Sequence, residues 1–253
     1  MSGITRPNVV ILTSGLSGSS VLTGLISRAG YWTGDSTHKK QDYDTYENTE
    51  LIDLNLKLLN EATYKGNYLL EFSQEIIDRV KVLHDRIDLQ VYSLFIRKCN
   101  SHRPWVWKDP RLWLTVRFWK NLLDLNDCRF VLLTRSPMQS WISQTLRRQI
   151  TTYRYSKVYE ENIKRSIVEF LQENRLSYIS MSYESLILRP VETIDALNQL
   201  LGTHLAIEDL KNVYKRPLYM SPRSSFVNYI KAVLIYVKNY SERLDIRSTT
   251  HSD

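Results

Sequence analysis

The chain has few residues that could cross-link it or bind a metal ion. Its 253 residues include only two cysteines, Cys99 and Cys128, and these form no Cys-x-x-Cys pair. This spacing argues against a disulfide framework and against a zinc site, so we expect two reduced thiols. His84, His102 and His204 show no spacing typical of metal ligands either. The sequence therefore predicts a fold without a bound metal.

Long apolar runs and internal boundaries are missing too. The apolar run at 9–12 is far too short to cross a bilayer, and the N-terminus shows no charged segment followed by an apolar one. No linker rich in proline, glycine or serine divides the chain, and it contains no repeat or low-complexity tract. We expect residues 1–253 to form a single cytoplasmic domain without a membrane span.

Negative charge is in deficit. The 34 Lys and Arg residues outnumber the 27 Asp and Glu residues, which gives a net charge of +7. Such a balance predicts an anionic partner. The basic residues are scattered, and the absence of a basic arm, a zinc finger or an RNA-recognition signature argues against nucleic acid. A nucleotide, an acidic glycan and a membrane surface remain open, and composition does not set the oligomeric state.

Short apolar runs alternate with helical periodicity along the chain. The apolar runs predict strands at 9–12, 68–72, 105–107, 129–134 and 176–181. Helical spacing predicts helices over 19–29, 50–59, 74–99 with a break near 88, 112–123, 157–174, 191–201 and 226–240. This alternation predicts a three-layer α/β/α fold around a mainly parallel sheet. The polar, irregular residues 33–46 predict a loop that could cover a site.

Two strand–turn–helix units carry patterns typical of anion binding. Residues 13–20 form a turn of small residues before a helix, which offers backbone N–H groups and a helix N-terminus to an anion. In the second unit, Arg135 ends a strand and Ser143 follows two helical turns later. Ligands of parallel sheets bind at the carboxyl ends of the strands, where such turns meet. The sequence thus predicts a ligand with two separated anionic groups.

Four segments, in this order along the chain, resemble the sulfotransferases that use 3′-phosphoadenosine 5′-phosphosulfate (PAPS), especially the bacterial-type members. Residues 15–20 (GLSGSS) are similar to the 5′-phosphosulfate loop, and 107–111 (WKDPR) to the K-D-P-R turn. Residues 135–143 (RSPMQSWIS) are similar to the 3′-phosphate element, and 183–202 to the Y-E-D-L…P…F-L-G region. The resemblance covers residues 9–202 and implies a P-loop-like sulfotransferase fold.

The resemblance implies PAPS as the sulfonate donor, 3′-phosphoadenosine 5′-phosphate (PAP) as the released product, and no metal cofactor. The donor-binding residues that it implies are Ser17, Gly18, Ser19, Ser20, Arg135, Ser143 and Tyr183. The first four would bind the 5′-phosphate at the helix N-terminus. Arg135 would pair with the 3′-phosphate through its planar fork, and Ser143 would donate a further bond. Tyr183 would lie near the adenine, with a core tyrosine as the alternative.

The turn similar to K-D-P-R carries the residues predicted to act in catalysis, which are Lys108, Asp109 and Arg111. Sulfonate transfer needs a cation at the leaving phosphate and a base for the acceptor proton. Lys108 is predicted as that cation and Asp109 as that base. For Asp109, an ion pair with Arg111 or a helix cap is the alternative. Glu71 and His38 are further candidate bases.

One position in the first loop departs from the family pattern. The family carries Lys or Arg just before its Ser-Gly pair, and this chain has Leu16 there. A missing cation removes charge stabilisation at the transferring sulfonate. Lys108 or Arg111 could supply the charge, or Lys39 and Lys40 of the polar loop. Without a substitute, the chain would bind a nucleotide without chemistry.

Three further features stay open. The acceptor is a hydroxyl compound, small molecule or saccharide, and the basic, aromatic stretch 147–159 could form its surface or a plain solvated face. A P-loop kinase is a rival interpretation, although Ser19 stands where the kinase motif has lysine. The C-terminal R-K-G element of soluble eukaryotic relatives is absent, and Arg216 or Arg223 could replace it.

Overall fold

A computed structural model describes residues 6–41, 43–214 and 222–245, except for the side chains of 222–225. The strands in these ranges are Asn8–Leu12 (β1), Thr37–Lys39 (β2), Asp44–Asn48 (β3), Val106–Lys108 (β4), Cys128–Thr134 (β5) and Tyr178–Ser182 (β6). The α-helices are Ser19–Arg28 (α1), Thr49–Glu61 (α2), Gln74–Lys81 (α3), Gln90–Ser101 (α4), Leu112–Trp119 (α5), Pro137–Leu146 (α6), Tyr153–Glu173 (α7), Tyr183–Leu188 (α8), Pro190–Leu201 (α9), Ile207–Val213 (α10) and Pro222–Lys238 (α11).

The central sheet has four strands in the order β4-β1-β5-β6, and every neighbouring pair is parallel. Ile11 of β1 pairs with Lys108 of β4, and Leu12 pairs with Leu132 of β5. All of β1 is buried. A strand buried on both faces is typical of a parallel sheet that helices cover on each side.

Alternate residues of the strands pack into two apolar layers, because successive side chains point to opposite faces of a sheet. Val10 and Phe130 belong to a core formed with α2, α3, α4, α5 and α7. Val9 and Val131 belong to a second core formed with α1, α8, α9 and α10. The predicted fold class, a three-layer α/β/α arrangement around a parallel sheet, is confirmed.

The structure departs from the sequence-based predictions at 68–72 and 33–46 and agrees with them at 74–99. The strand predicted at 68–72 was wrong, because Asn67 accepts hydrogen bonds from the amides of the next residues and turns the chain there. The polar segment 33–46 contains β2 and the start of β3, which pair as an antiparallel hairpin. The helical pattern at 74–99 is divided into α3 and α4, with the break in the predicted region.

Both cysteines, Cys99 and Cys128, are free and buried. Burial raises the pKa of each thiol to about 12, so both stay protonated and unreactive at neutral pH. No helix in the described parts of the chain is long and apolar enough to cross a membrane.

Candidate active site

The turns that follow the four parallel strands meet at the carboxyl edge of the sheet. Arg135, in the turn between β5 and α6, donates a 2.8 Å hydrogen bond from Nη1 to the carbonyl oxygen of Leu16, in the turn between β1 and α1. The guanidinium carbon of Arg135 also lies 5.0 Å from the ring centre of Tyr183, which follows β6. The two elements that the sequence predicts to bind anions are therefore in direct contact.

The turn between β1 and α1, residues 13–18, contains several left-handed residues. Gly15, Leu16 and Gly18 have φ angles of 87°, 49° and 79°. At Gly18 a side chain is excluded by space as well, because a Cβ atom there would lie 2.0 Å from Cδ2 of Tyr183. Glycine adopts this conformation without steric cost. The Tyr183 ring and the turn thus hold each other in place.

The N-terminus of α1 has the features of an anion site. Gly18 is its N-cap and gives no side-chain hydrogen bond, and the first turn holds no acidic residue. The backbone N–H groups of Ser19 and Ser20 find no acceptor among the described residues. Unpaired amides and the helix dipole favour an anion here. The Ser17 hydroxyl is hydrogen-bonded to that of Thr13, which fixes the preceding turn.

Arg135 carries an unpaired donor at this edge. Burial lowers its pKa, and the neighbouring carboxylate of Glu184 opposes that effect. Its Nε atom is buried and has no acceptor within the part of the chain that the structure describes. A buried donor left unpaired costs free energy, which a bound anion would recover. Glu184 also accepts a 3.1 Å hydrogen bond from the backbone N–H of Ser136, just before α6.

Lys108 ends β4 with its ammonium group beside the first turn of α1. Its side chain is 2% exposed, and Nζ lies 2.5 Å from Glu47 Oε1 and 3.3 Å from Ser20 Oγ. Burial lowers the pKa of Lys108, while the neighbouring charge of Glu47 raises it. The charge of the exposed Lys40, another candidate cation, also lowers the pKa of Lys108. A lysine side chain is thus present beside Ser20, close to the turn that contains Leu16.

Glu47 is a site residue that the sequence reasoning missed. It lies in β3, and its side chain is 16% exposed. The pairing of β2 with β3 brings it to Lys108, which is 61 positions further along the chain. The one signal in the sequence is its position directly after the polar segment 33–46, for which a covering role is predicted.

Asp109 and Arg111 form a buried ion pair. Arg111 Nη1 donates to both carboxylate oxygens of Asp109, at 3.0 and 3.1 Å, and the Arg111 backbone N–H donates to Oδ1 at 2.7 Å. Arg111 Nη2 donates to the Tyr68 hydroxyl at 2.6 Å, and the guanidinium lies 4.5 Å from the Tyr68 ring centre. Asp109 has no exposed surface. This geometry matches the ion-pair alternative for Asp109 more closely than contact with an acceptor.

A second carboxylate that the sequence reasoning missed adjoins the 13–18 turn. Glu160 of α7 accepts a hydrogen bond from the Ser14 hydroxyl. Burial raises the pKa of Glu160, and the hydrogen bond from Ser14 and the charge of Arg135 oppose that effect. Its Oε1 atom has no partner among the residues described. A carboxyl group whose burial favours the neutral form therefore lies close to both elements predicted to bind anions.

The remaining predicted residues form no hydrogen bond or ion pair with this cluster through their described side chains. Ser143 is half-buried on α6, and no hydrogen bond joins it to Arg135 within the described residues. Three candidates are exposed, namely His38, Lys39 and Glu71. Arg216 and the side chain of Arg223 lie outside the described residues.

Comparison with known proteins gives likenesses of fold. No protein-family model matches the chain, and no curated protein matches it. The chain is similar to the sulfotransferase domain from the curacin biosynthetic pathway, at 18% identity over 85% of this chain and 80% of that one, with a TM-score of 0.48. It is also similar to sulfotransferase STF9 from Mycobacterium avium, at 12% identity over 83% of this chain and 67% of that one, with a TM-score of 0.44. Similarity at this level leaves the activity to be argued from the side chains at the sheet edge.

Proposed function

We propose that the chain is a sulfotransferase that moves a sulfonate group from PAPS to a hydroxyl group of an acceptor and releases PAP. The observation that supports the proposal is the hydrogen bond between Arg135 and Leu16 of the 13–18 turn, which joins the two elements predicted to bind anions. A nucleotide with phosphate on both the 3′ and 5′ positions of one ribose matches such a pair. A nucleotide with a single phosphate chain would use only one of them.

Donor binding in this proposal uses the unpaired hydrogen-bond donors of the site. The N–H groups of Ser19 and Ser20 bind the 5′-phosphate, with support from the dipole of α1. Arg135 binds the 3′-phosphate, which gives its Nε atom an acceptor. The Tyr183 ring contacts both Gly18 and Arg135 and so lies between the two phosphate sites, where an adenosine would pass. Ser143 stays a predicted second donor to the 3′-phosphate.

Charge at the reacting centre comes from Lys108 in this proposal. Sulfonate transfer breaks the S–O bond to the 5′-phosphate and forms an S–O bond to the acceptor, so negative charge grows on the leaving phosphate oxygen. The Lys108 ammonium lies 3.3 Å from Ser20, beside the proposed 5′-phosphate site. One preorganised donor at such a position is worth about 3–4 kcal/mol. Lys108 thereby supplies the charge that Leu16 lacks.

Glu47 is the base for the acceptor hydroxyl in this proposal. Its carboxylate is held at Lys108 and keeps some exposed surface, whereas Asp109 is fully buried against Arg111. The carboxylate takes the hydroxyl proton as the new S–O bond forms, a role worth about 100-fold or more in rate. The acceptor is a small molecule or a saccharide with a free hydroxyl.

Calorimetric titration tests the donor assignment. We expect PAP to bind without magnesium and ATP with magnesium to bind more weakly, because only PAP presents a 3′-phosphate to Arg135. A preference for ATP would overturn the proposal and favour the kinase interpretation. A second assay follows labelled sulfonate from PAPS to a pool of saccharides and phenols. PAP binding without transfer to any acceptor would favour a nucleotide-binding protein that performs no chemistry.

A further inference from the structure

The outward side of α11 carries large apolar side chains that are exposed to solvent. We call this set the α11 stripe: Phe226, Val227, Ile230, Leu234 and Val237. Phe226 is 62% exposed, and Leu234 and Val237 are each 65% exposed. The inner side of the helix is already used, because Ala232 is buried against Trp141 and Ile142 of α6.

The stripe lies opposite the packed side of the helix. Ile230 and Leu234 are two positions from Ala232 in either direction, which is about 160–200° around an α-helix. A helix that is apolar on both sides is normally covered on both. Contiguous exposed apolar surface of this kind marks an interaction site more often than a plain surface. The stripe is therefore a candidate docking surface.

The charges of α11 are all of one sign. The helix contains Arg223, Lys231 and Lys238 and no acidic residue. Lys231 and Lys238 are exposed, and each follows a stripe residue by four positions, so each adjoins the stripe on the helix surface. The whole chain carries a net charge of +7. An apolar stripe bordered by lysines complements a surface that is apolar within and negative at its border.

We propose that the α11 stripe docks on an anionic lipid bilayer. The apolar side chains enter the boundary between headgroups and acyl chains, and Lys231 and Lys238 meet the lipid phosphates and carboxylates. A second copy of the chain fits less well. Antiparallel two-fold pairing through the stripe would set the two lysine rows along one edge, with no acidic residue of α11 to neutralise them. This proposal does not depend on the proposed function.

Vesicle sedimentation of the full chain tests the proposal. We expect binding to vesicles of phosphatidylcholine with phosphatidylserine and little binding to phosphatidylcholine alone. Raising the salt from about 0.1 M to about 1 M should release much of the bound protein, because the Debye length falls to about 3 Å. The double variant Lys231→Glu, Lys238→Glu should weaken vesicle binding on the order of tenfold or more. The variant Ile230→Ser, Leu234→Ser should abolish it.

Matched controls change exposed residues elsewhere. Leu94→Ser on α4 and Lys164→Glu on α7 alter the same residue types and should leave vesicle binding unchanged. Thermal unfolding verifies that each variant is folded. Absence of binding to the phosphatidylserine vesicles would overturn the proposal, as would binding that the α11 variants leave intact. Sedimentation velocity measures the oligomeric state. If the chain were a dimer that Leu234→Ser made monomeric, and if it did not bind vesicles, the occupant would be a second copy of the chain.

Discussion

At the residue scale, the Lys108–Glu47 pair places two opposite charges almost out of water, with their atoms 2.5 Å apart. Desolvation offsets most of the attraction in such a pair, so net stability is a weak reason for its presence. Its position beside Ser20 offers a functional reason. In the proposed sulfonate transfer, a cation there would face the oxygen on which charge grows, and the Glu47 carboxylate would hold that cation in place.

Glu47→Gln tests the carboxylate. The amide oxygen can still accept from Lys108, so the fold should survive while the base is lost. We expect kcat to fall about 100-fold or more, with PAP affinity nearly unchanged. Glu50→Gln is the control, because Glu50 pairs with another lysine, Lys98, at 2.7 Å. Initial rates and calorimetry measure the two effects, and an unchanged kcat would remove Glu47 as the base.

Lys108→Ala tests the cation. We expect turnover to fall by about 100-fold or more and PAP affinity to fall much less, because the charge acts mainly on the transition state. The single change leaves Glu47 without its partner and costs about 3–5 kcal/mol of stability. The double variant with Glu47→Gln removes that stranded charge, and thermal unfolding should show the recovery. Equal losses in turnover and PAP affinity would mean that Lys108 only helps binding.

Glu160 gives a prediction about pH. Burial raises its pKa in the folded state above the ordinary value of 4.5, against the opposing hydrogen bond from Ser14. Its favourable contribution to stability is therefore complete below the unfolded pKa and is lost as the pH rises through the folded pKa. Relative to wild type, Glu160→Gln should gain stability as the pH rises from about 4 towards neutrality. Thermal unfolding across that range measures it, with the exposed neighbour Glu161→Gln as control. If the difference in Tm between Glu160→Gln and wild type did not change with pH, the raised pKa of Glu160 would be refuted.

At the scale of elements, the turn between β1 and α1 depends on glycine at Gly18 for two reasons, backbone conformation and space. A comparison with Gly202 distinguishes the two reasons. Gly202 has a φ of 62°, but a Cβ atom there would meet nothing within 4 Å. A Cβ atom at Gly18 would meet the Tyr183 ring. Alanine at either position carries the left-handed cost of about 1–2 kcal/mol. We expect Gly18→Ala to lose about 1–3 kcal/mol more than Gly202→Ala, from overpacking.

Urea unfolding measures this difference. In a Tyr183→Ala background, Gly18→Ala should lose little more stability than Gly202→Ala, because the Tyr183 ring is the nearest obstacle to a Cβ atom at Gly18. If both glycine variants lost the same free energy of unfolding, the Tyr183 ring would move aside without cost. The ring would then not hold the turn in place.

The elements also show what the sequence can predict. The strands of the central sheet are short apolar runs, and the residue after each run begins a turn, so both the strands and their turns were predictable. The hairpin of β2 and β3 was not predictable in this way, because its strands do not alternate apolar and polar residues. Polar contacts join them instead, such as the 2.7 Å hydrogen bond from the Thr37 hydroxyl to the Asp44 carboxylate. Residues 68–72 are an apolar run that does not form a strand, because hydrogen bonds to Asn67 fold these residues into a turn. Glu47 was missed because its hairpin was missed.

At the scale of the whole molecule, the strand order decides whether one ligand can reach both elements predicted to bind anions. Alternation of strands and helices predicts a parallel sheet but not which strands are neighbours. The order β4-β1-β5-β6 places β1 between β4, which ends at Lys108, and β5, which Arg135 directly follows. Leu16 and Arg135 thereby touch although 119 positions separate them in sequence. A ligand that spans these turns would link three strands and should stabilise the whole fold.

Thermal unfolding with nucleotides tests this link. At a concentration about 100 times its Kd, PAP should add about 2.7 kcal/mol of stability, or about 5–10 °C in Tm for a chain of this size. AMP lacks the 3′-phosphate and should give a smaller shift at the same concentration. Arg135→Ala should weaken PAP binding by about 1.5–3 kcal/mol and leave the AMP shift unchanged. The exposed Arg165→Ala should alter neither nucleotide's effect. If Arg135→Ala weakened PAP and AMP equally, Arg135 would support the turn at Leu16 and would not bind the 3′-phosphate.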